Sequence, residues 1–196
     1  MKMRDELSSL LGWLRPLAIF AGAMLTMLAA MRLGLVVWQI DRVSAANMLG
    51  AVLLQGLRFD LVLVGALLMP VALAMPLFCT SAALLRVGKP LLLIYWVACF
   101  AGAVFMEVAT PSFVAQFDAR PNRLFVEYLV YPKEVGSTLL SGYLPQLVAA
   151  VIAVTLAVWL LQWTLRKALR GTRKIHWATA VAAAPLLFVL CFGAAL

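Results

Sequence analysis

Charged residues are scarce in this sequence, and their scarcity excludes an ordinary soluble protein. Asp, Glu, Lys and Arg make up 12% of the 196 residues, whereas hydrophobic residues make up 65%. A soluble domain carries about 25% charged and about 45–50% apolar residues. The mean hydropathy of +1.03 is typical of a chain that lies mostly within a bilayer. The net charge of +8 does not indicate nucleic-acid binding, because the basic residues are dispersed among apolar runs, which suits lipid headgroups.

Histidine and cysteine are also rare, which limits the chemistry that the chain can perform. The single histidine, His176, lies in a basic stretch, so neither a Ser-His-Asp triad nor a histidine-based metal cage can form. Cys79, Cys99 and Cys191 lie inside apolar runs without a Cys-x-x-Cys pair, and we interpret them as small buried apolar residues. We therefore predict no catalytic residue and no metal ligand in this chain.

Long apolar runs fill most of the chain, and about 20 apolar residues suffice to cross the hydrocarbon core. The sequence predicts an all-α, polytopic membrane protein with five transmembrane helices. The predicted spans are residues 17–38, 61–78, 91–108, 143–165 and 177–196. The first run is longer than the 7–15 residues of a secretory signal, so we interpret it as an uncleaved anchor.

Proline and charge mark the breaks between the first three spans. Residues 48–57 are predicted to extend the second span along the interface, and Pro70 and Pro76 are predicted to kink it. A tight basic turn is predicted before the third span, formed by Arg86, Lys89 and Pro90.

The distribution of charge predicts the orientation. The N-terminal tail, residues 86–89 and residues 166–174 hold three, two and five of the 16 Lys and Arg residues, so we place them in the cytoplasm. The other connections and the C-terminus then face outward. Six of the eight acidic residues lie on or beside that outer side: Asp41, Asp60, Glu107, Asp118, Glu127 and Glu134.

The segment 109–142, between spans three and four, holds the densest polar stretch. From Asn122 to Tyr131 apolar residues recur at helical spacing, between Pro121, which suits a helix start, and Pro132, which ends the helix. This pattern predicts an amphipathic interfacial helix with its charges at headgroup level.

Ionisable residues inside membrane spans indicate function unless they serve packing. Arg32, Arg58, Asp60 and Glu107 are predicted at one depth near the outer ends of their spans. They could hold an anionic lipid headgroup through Arg58 and Arg32, or form an ion-pair set that docks segment 109–142 and fixes helix packing. In segment 109–142, the polar residues could contact an outer-face domain or a lipid phosphate, or could simply form the water-facing side of the interfacial helix; they are Arg120, Asn122, Arg123 and Glu127. The residues that we assign to headgroup binding or domain docking are Arg58, Asp60, Glu107, Arg120, Asn122, Arg123 and Glu127.

Two stretches carry a family resemblance. Phe117–Val135 combines an aromatic–acid–x–Arg–x–Asn opening with a Tyr-Leu-x-Tyr and Glu-Val close, and Gly56–Leu61 reads Gly-Leu-Arg-Phe-Asp-Leu. Both resemble signatures of the lipoteichoic acid synthase and phosphoglycerol transferase family. The resemblance implies five N-terminal spans followed by an extracytoplasmic catalytic domain of the alkaline phosphatase–sulfatase superfamily. It also implies a threonine nucleophile and a divalent metal, usually manganese, that move glycerol phosphate from phosphatidylglycerol to an acceptor.

We therefore expect the membrane-anchoring, lipid-facing domain of such an enzyme in a bacterial inner membrane. Its expected partners are phosphatidylglycerol and its own C-terminal extracytoplasmic domain. The sequence stops at Leu196 without a charged anchor, so we expect a longer protein. Its activity could be that of a phosphoglycerol transferase, of a relative of the lipid-A-type phosphoethanolamine transferases, or of a sulfatase-like hydrolase. The alternative is a stand-alone scaffold or a transporter subunit without catalysis. A transporter should show repeats and interrupted spans at the midplane, which the sequence lacks.

Overall fold

The computed structural model describes residues 2–121 and 144–172, together with the single positions 181 and 193. The helices in these ranges are α1 (Lys2–Trp38), α2 (Ile40–Ala45), α3 (Leu49–Cys79), α4 (Ala82–Phe117) and α5 (Leu144–Arg170). The described part of the chain contains no strand. For these residues the prediction of an all-α fold is confirmed.

Four of the described helices are long and apolar enough to cross a membrane. The membrane-spanning stretches are Leu14–Trp38, Leu49–Ala74, Ala82–Phe117 and Ala150–Arg170. The chain is thus a helical membrane protein. The predicted fifth span, 177–196, lies outside the described residues apart from two helical positions, and so does the predicted interfacial helix from Asn122 onward.

Helix α3 is longer than the predicted second span. It begins at Leu49, well before the predicted start at 61, and it is continuous through Pro70 and Pro76. Residues 49–57 therefore belong to the same helix and the same apolar stretch as the rest of the span. The charges at Arg58 and Asp60, which suggested a break, lie within the helix.

The predicted turn at Arg86, Lys89 and Pro90 is wrong, because all three residues are helical in α4. The chain turns earlier, at 80–81, where the Ser81 hydroxyl accepts a hydrogen bond from the Leu84 amide at 3.1 Å. Such a cap satisfies one of the open amides of the first helical turn and fixes the start of the helix. Pro90 removes only one backbone donor from a helix that has already begun.

Helix α4 also continues past the predicted end of the third span at 108. It ends at Phe117 because Asp118 adopts a left-handed backbone with φ 53°. Aspartate tolerates this conformation better than most residues, and it stops helix propagation. Residues 109–117, predicted as the first part of a separate interfacial segment, are therefore the last turns of α4.

The chain divides into two compact units, Met1–Cys99 with Leu161–Leu196, and Phe100–Leu160. In the first unit α1 packs against α3. The Phe20 and Trp96 rings stack in the core with centroids 5.6 Å apart, and both side chains are fully buried. The Tyr95 hydroxyl donates a hydrogen bond to the Leu67 carbonyl at 3.0 Å, which ties α4 to α3.

Candidate functional site

The first unit contains a buried ion pair between two membrane-spanning helices. Arg32, near the end of α1, donates through Nη2 to Oδ1 of Asp60 on α3. The two side chains are only 8% and 7% exposed. The second carboxylate oxygen, Oδ2, is also buried and accepts no hydrogen bond from the described residues. The pair thus lies in a low-dielectric setting, where a charge left without its partner is costly.

Gly56 makes room for this ion pair. A Cβ atom placed at Gly56 would overlap with Nε and Cζ of the Arg32 guanidinium and would lie 2.7 Å from its Cδ. Gly56 and Asp60 are four residues apart, so they lie on the same face of α3, one turn from each other. The guanidinium therefore lies across the bare backbone at Gly56 and pairs with the carboxylate one turn further along. We call this arrangement the arginine seat, formed by Gly56, Asp60 and Arg32.

The arginine seat explains in physical terms why the segment Gly56–Leu61 has a glycine at Gly56 and an acid at Asp60. The sequence predicted Asp60 as a docking residue and Arg32 as a headgroup ligand, with an ion-pair set that docks segment 109–142 as the alternative. In the structure Arg32 and Asp60 form an ion pair with each other. Gly56 was not assigned a role. A glycine one turn before an intramembrane acid is the signal that could have identified it, because an arginine from another helix needs such a gap.

Arg58 lies in the same signature but has a different environment. Its side chain is exposed, as is that of its neighbour Phe59, whereas Asp60 is buried. Successive residues on a helix point in directions about 100° apart, since a turn takes 3.6 residues. Arg58 is two residues from both Gly56 and Asp60, so it points to roughly the opposite side of α3. Arg58 therefore projects away from the arginine seat, toward the surroundings of α3.

A second ion pair lies in the other unit. Arg120, just beyond the end of α4, reaches back along that helix so that its Nη1 lies 3.8 Å from Oε1 of Glu107. Arg120 is 51% exposed and Glu107 is 14% exposed. The contact orients the half-exposed Arg120 side chain on the largely buried Glu107 carboxylate. It holds the first residues after α4 against the last turns of the helix.

The remaining predicted site residues are outside the description. Asn122, Arg123 and Glu127 lie in the stretch that begins after residue 121, with most of the signature Phe117–Val135. Among the described residues, the structure brings together Arg32 with Asp60 and Arg120 with Glu107.

The family resemblance implies a divalent metal in the extracytoplasmic catalytic domain and none in the membrane spans. In the ranges 2–121 and 144–172, no group of three or more His, Cys, Asp or Glu residues could hold a metal ion. The carboxylate of Asp60 already pairs with Arg32.

The fold and these contacts define a class: a helical membrane protein with an ion pair buried between the first two membrane-spanning helices that the structure describes. Comparison with protein-family models and with solved structures finds no match for this chain.

Proposed function

We propose that this chain is the membrane-anchoring, lipid-facing domain of a phosphoglycerol-transferase-like enzyme that acts on phosphatidylglycerol at the outer leaflet of a bacterial inner membrane. The observation that carries the proposal is the arginine seat. It gives the signature Gly56–Leu61 a defined structural task, since Gly56 and Asp60 receive Arg32. The same short signature leaves Arg58 exposed on the surface of α3.

The first part of the task is to hold the helices in a fixed arrangement. A buried, paired guanidinium fixes the register of α1 against α3, because a shift of one helix would leave both charges unpaired. A membrane domain that positions a catalytic domain over its lipid substrate needs such a fixed arrangement. Arg32 and Asp60 have this positioning role in the proposal.

The second part of the task is to attract the phosphate of the lipid donor. Arg58 is exposed on a membrane-spanning helix, and Arg120 is half exposed just beyond the end of another. A guanidinium binds phosphate oxygens through two parallel hydrogen bonds. We assign Arg58 and Arg120 to the headgroup, with Glu107 orienting Arg120. Asn122, Arg123 and Glu127 keep their predicted role in docking the catalytic domain or the lipid.

The reaction itself belongs to the extracytoplasmic domain that the resemblance places after the membrane spans. A hydroxyl nucleophile attacks the phosphorus of phosphatidylglycerol, the bond to the diacylglycerol oxygen breaks, and that oxygen takes up a proton. Glycerol phosphate passes to the acceptor, and diacylglycerol remains in the bilayer. This chain contributes the position of the donor lipid and the attachment to the membrane.

Production of diacylglycerol tests the proposal. The full-length protein that contains this chain is reconstituted with Mn²⁺ in vesicles of phosphatidylglycerol carrying a fluorescent acyl chain. We expect fluorescent diacylglycerol to accumulate, and we expect Arg58→Ala and Arg120→Ala to raise the KM for lipid more than they lower kcat. Arg42→Ala, at an exposed position of α2, is the matched control.

The contradicting outcomes are distinct. If no diacylglycerol forms from the wild-type protein in a panel of acceptors and metals, the enzyme assignment fails and the scaffold or transporter alternative takes its place. If diacylglycerol forms and both variants behave like Arg42→Ala, the enzyme assignment survives but the headgroup role of these arginines is refuted.

A further inference from the structure

Three basic helix ends meet in the first unit. Nζ of Lys89, near the start of α4, donates a hydrogen bond to the carbonyl of Thr172, just after α5, at 3.0 Å. A Cβ atom placed at Gly12, in the first part of α1, would lie 3.3 Å from the carbonyl oxygen of Gly171. The first part of α1, the start of α4 and the end of α5 therefore converge on Gly171 and Thr172.

Each of these helix ends carries exposed cations. We call the set the basic end, and its members are Arg15 on α1, Arg86 and Lys89 on α4, and Arg166, Lys167 and Arg170 on α5. All are exposed except Lys89, which is half-buried where it meets Thr172. The sequence of α5 contains no acidic residue, and that of α4 contains none before Glu107. Asp5 and Glu6 in the first turns of α1 are accompanied there by Lys2 and Arg4.

The basic end lies at the ends of membrane-spanning stretches, where headgroups are found. Arg15 follows the first residue of the stretch Leu14–Trp38, and Arg170 is the last residue of the stretch Ala150–Arg170. Nζ of Lys167 lies 3.4 Å from the centroid of the Trp163 ring. Tryptophan is enriched at the level where hydrocarbon meets headgroups, and an exposed cation over its face occupies the polar side of that boundary.

Exposed apolar side chains accompany the cations on every one of the three helices. Leu14 precedes Arg15, Val87 follows Arg86, and Trp163 lies beneath Lys167; all three apolar side chains are exposed. A soluble polyanion would leave these apolar surfaces without a partner. A phospholipid suits the cations and the apolar side chains together, because its phosphates contact the cations while its acyl chains cover the apolar side chains.

We propose that the basic end is a binding site for a membrane phospholipid with two phosphates, of the cardiolipin class. The cations come from three helices, so two linked phosphates reach more of them than one phosphate does. Basic surfaces between membrane helices are suited to such headgroups. The bound lipid bridges α1, α4 and α5 and reinforces the contact of Lys89 with Thr172. This site includes neither Arg58 nor Arg120, and it does not depend on the proposed function.

Lipid titration of the purified chain tests the proposal. The chain in neutral detergent is titrated with cardiolipin, phosphatidylglycerol, phosphatidylcholine and inorganic pyrophosphate, and bound lipid is counted by native mass spectrometry. We expect cardiolipin to bind most tightly. We also expect Arg86→Gln, Arg166→Gln and Arg170→Gln each to weaken it about fivefold, as follows from the loss of one phosphate-facing cation near a membrane surface.

Matched variants separate a site from general electrostatic attraction. Arg42→Gln removes one exposed positive charge from α2, a helix that contributes no residue to the basic end, and should leave the Kd for cardiolipin unchanged. Arg166→Lys keeps the charge and should recover most of the affinity lost in Arg166→Gln, which shows that the fold is intact. Equal losses of cardiolipin affinity in Arg42→Gln and Arg86→Gln would overturn the proposed site. Equal binding of phosphatidylcholine would overturn the headgroup assignment, and binding of pyrophosphate as tight as that of cardiolipin would overturn the lipid assignment.

Discussion

A single added methyl group at Gly56 should destabilise the protein, although alanine is the better helix former. In the interior of a helix, Gly→Ala ordinarily stabilises by about 0.5–1 kcal/mol, because glycine loses more backbone entropy on folding. At Gly56 the new Cβ would occupy the space of the Arg32 guanidinium. The guanidinium is buried and paired with Asp60, so it cannot swing into solvent without leaving a buried carboxylate. Overpacking of this kind costs about 1–3 kcal/mol, which outweighs the gain in helix propensity.

The sign of the effect should reverse when the arginine is absent. In an Arg32→Ala background the side-chain atoms that the new Cβ would meet are absent, so Gly56→Ala should stabilise that variant by about 0.5–1 kcal/mol. Gly50→Ala is the matched control on the same helix, since a Cβ there meets nothing within 4 Å. It should stabilise both backgrounds equally, because the two sites share no partner.

Unfolding in mixed micelles measures these differences. The purified chain in a mild detergent is titrated with sodium dodecyl sulfate, and the loss of helix is followed by far-ultraviolet circular dichroism. The reasoning is refuted if Gly56→Ala and Gly50→Ala have the same effect in the wild-type background. It is also refuted if Gly56→Ala costs as much in the Arg32→Ala background as it does when Arg32 is present.

Three further predictions concern the first unit, and the same unfolding assay checks each. Asp60→Ala should lower the free energy of unfolding by about 3–5 kcal/mol, because it leaves the Arg32 charge buried without its partner. The double variant Asp60→Leu with Arg32→Met should be at least about 2 kcal/mol more stable than Asp60→Ala alone. Additive effects of the single substitutions would contradict the ion pair. Gly88→Ala should lower the free energy of unfolding by about 1–3 kcal/mol, because the new Cβ would lie 2.5 Å from Cγ of Phe78. Phe78→Ala should remove that penalty. The same cost in the wild-type and Phe78→Ala backgrounds would contradict the contact. Trp96→Ala should cost about 3–5 kcal/mol because the ring is fully buried in the core, and a loss below about 1 kcal/mol would place it at the lipid surface.

The helical class and the approximate positions of four membrane-spanning helices could be predicted from the sequence. Long apolar runs have few solutions in a bilayer, since every backbone amide must be satisfied within the segment. Helix ends were less predictable. The start of α4 depends on the Ser81 side chain, which competes with the more conspicuous signal of Pro90 further along. The end of α4 depends on the left-handed backbone of Asp118, which leaves no trace in hydrophobic periodicity.

The arginine seat was only partly predictable, because its members are far apart in the sequence. Composition identified Arg32 and Asp60 as unusual intramembrane charges, but it left open whether they bind a headgroup or each other. Local periodicity treated Arg58 and Asp60 as a break in the second span. In the structure Asp60 is compatible with a continuous α3 because Arg32 neutralises it from another helix. Pairing of this kind is a tertiary contact, and residue patterns within one segment do not report it.

We propose that this membrane domain delivers the chain at residue 196 to the outer face of the membrane, where a catalytic domain would meet phosphatidylglycerol. Reporter fusions test it most directly: alkaline phosphatase is active only outside the cytoplasm, and green fluorescent protein, exported by the same route, is fluorescent only inside. The account predicts an active phosphatase and a dark fluorescent protein when each is joined after Leu196. A fluorescent fusion with an inactive phosphatase would place residue 196 in the cytoplasm and contradict the account.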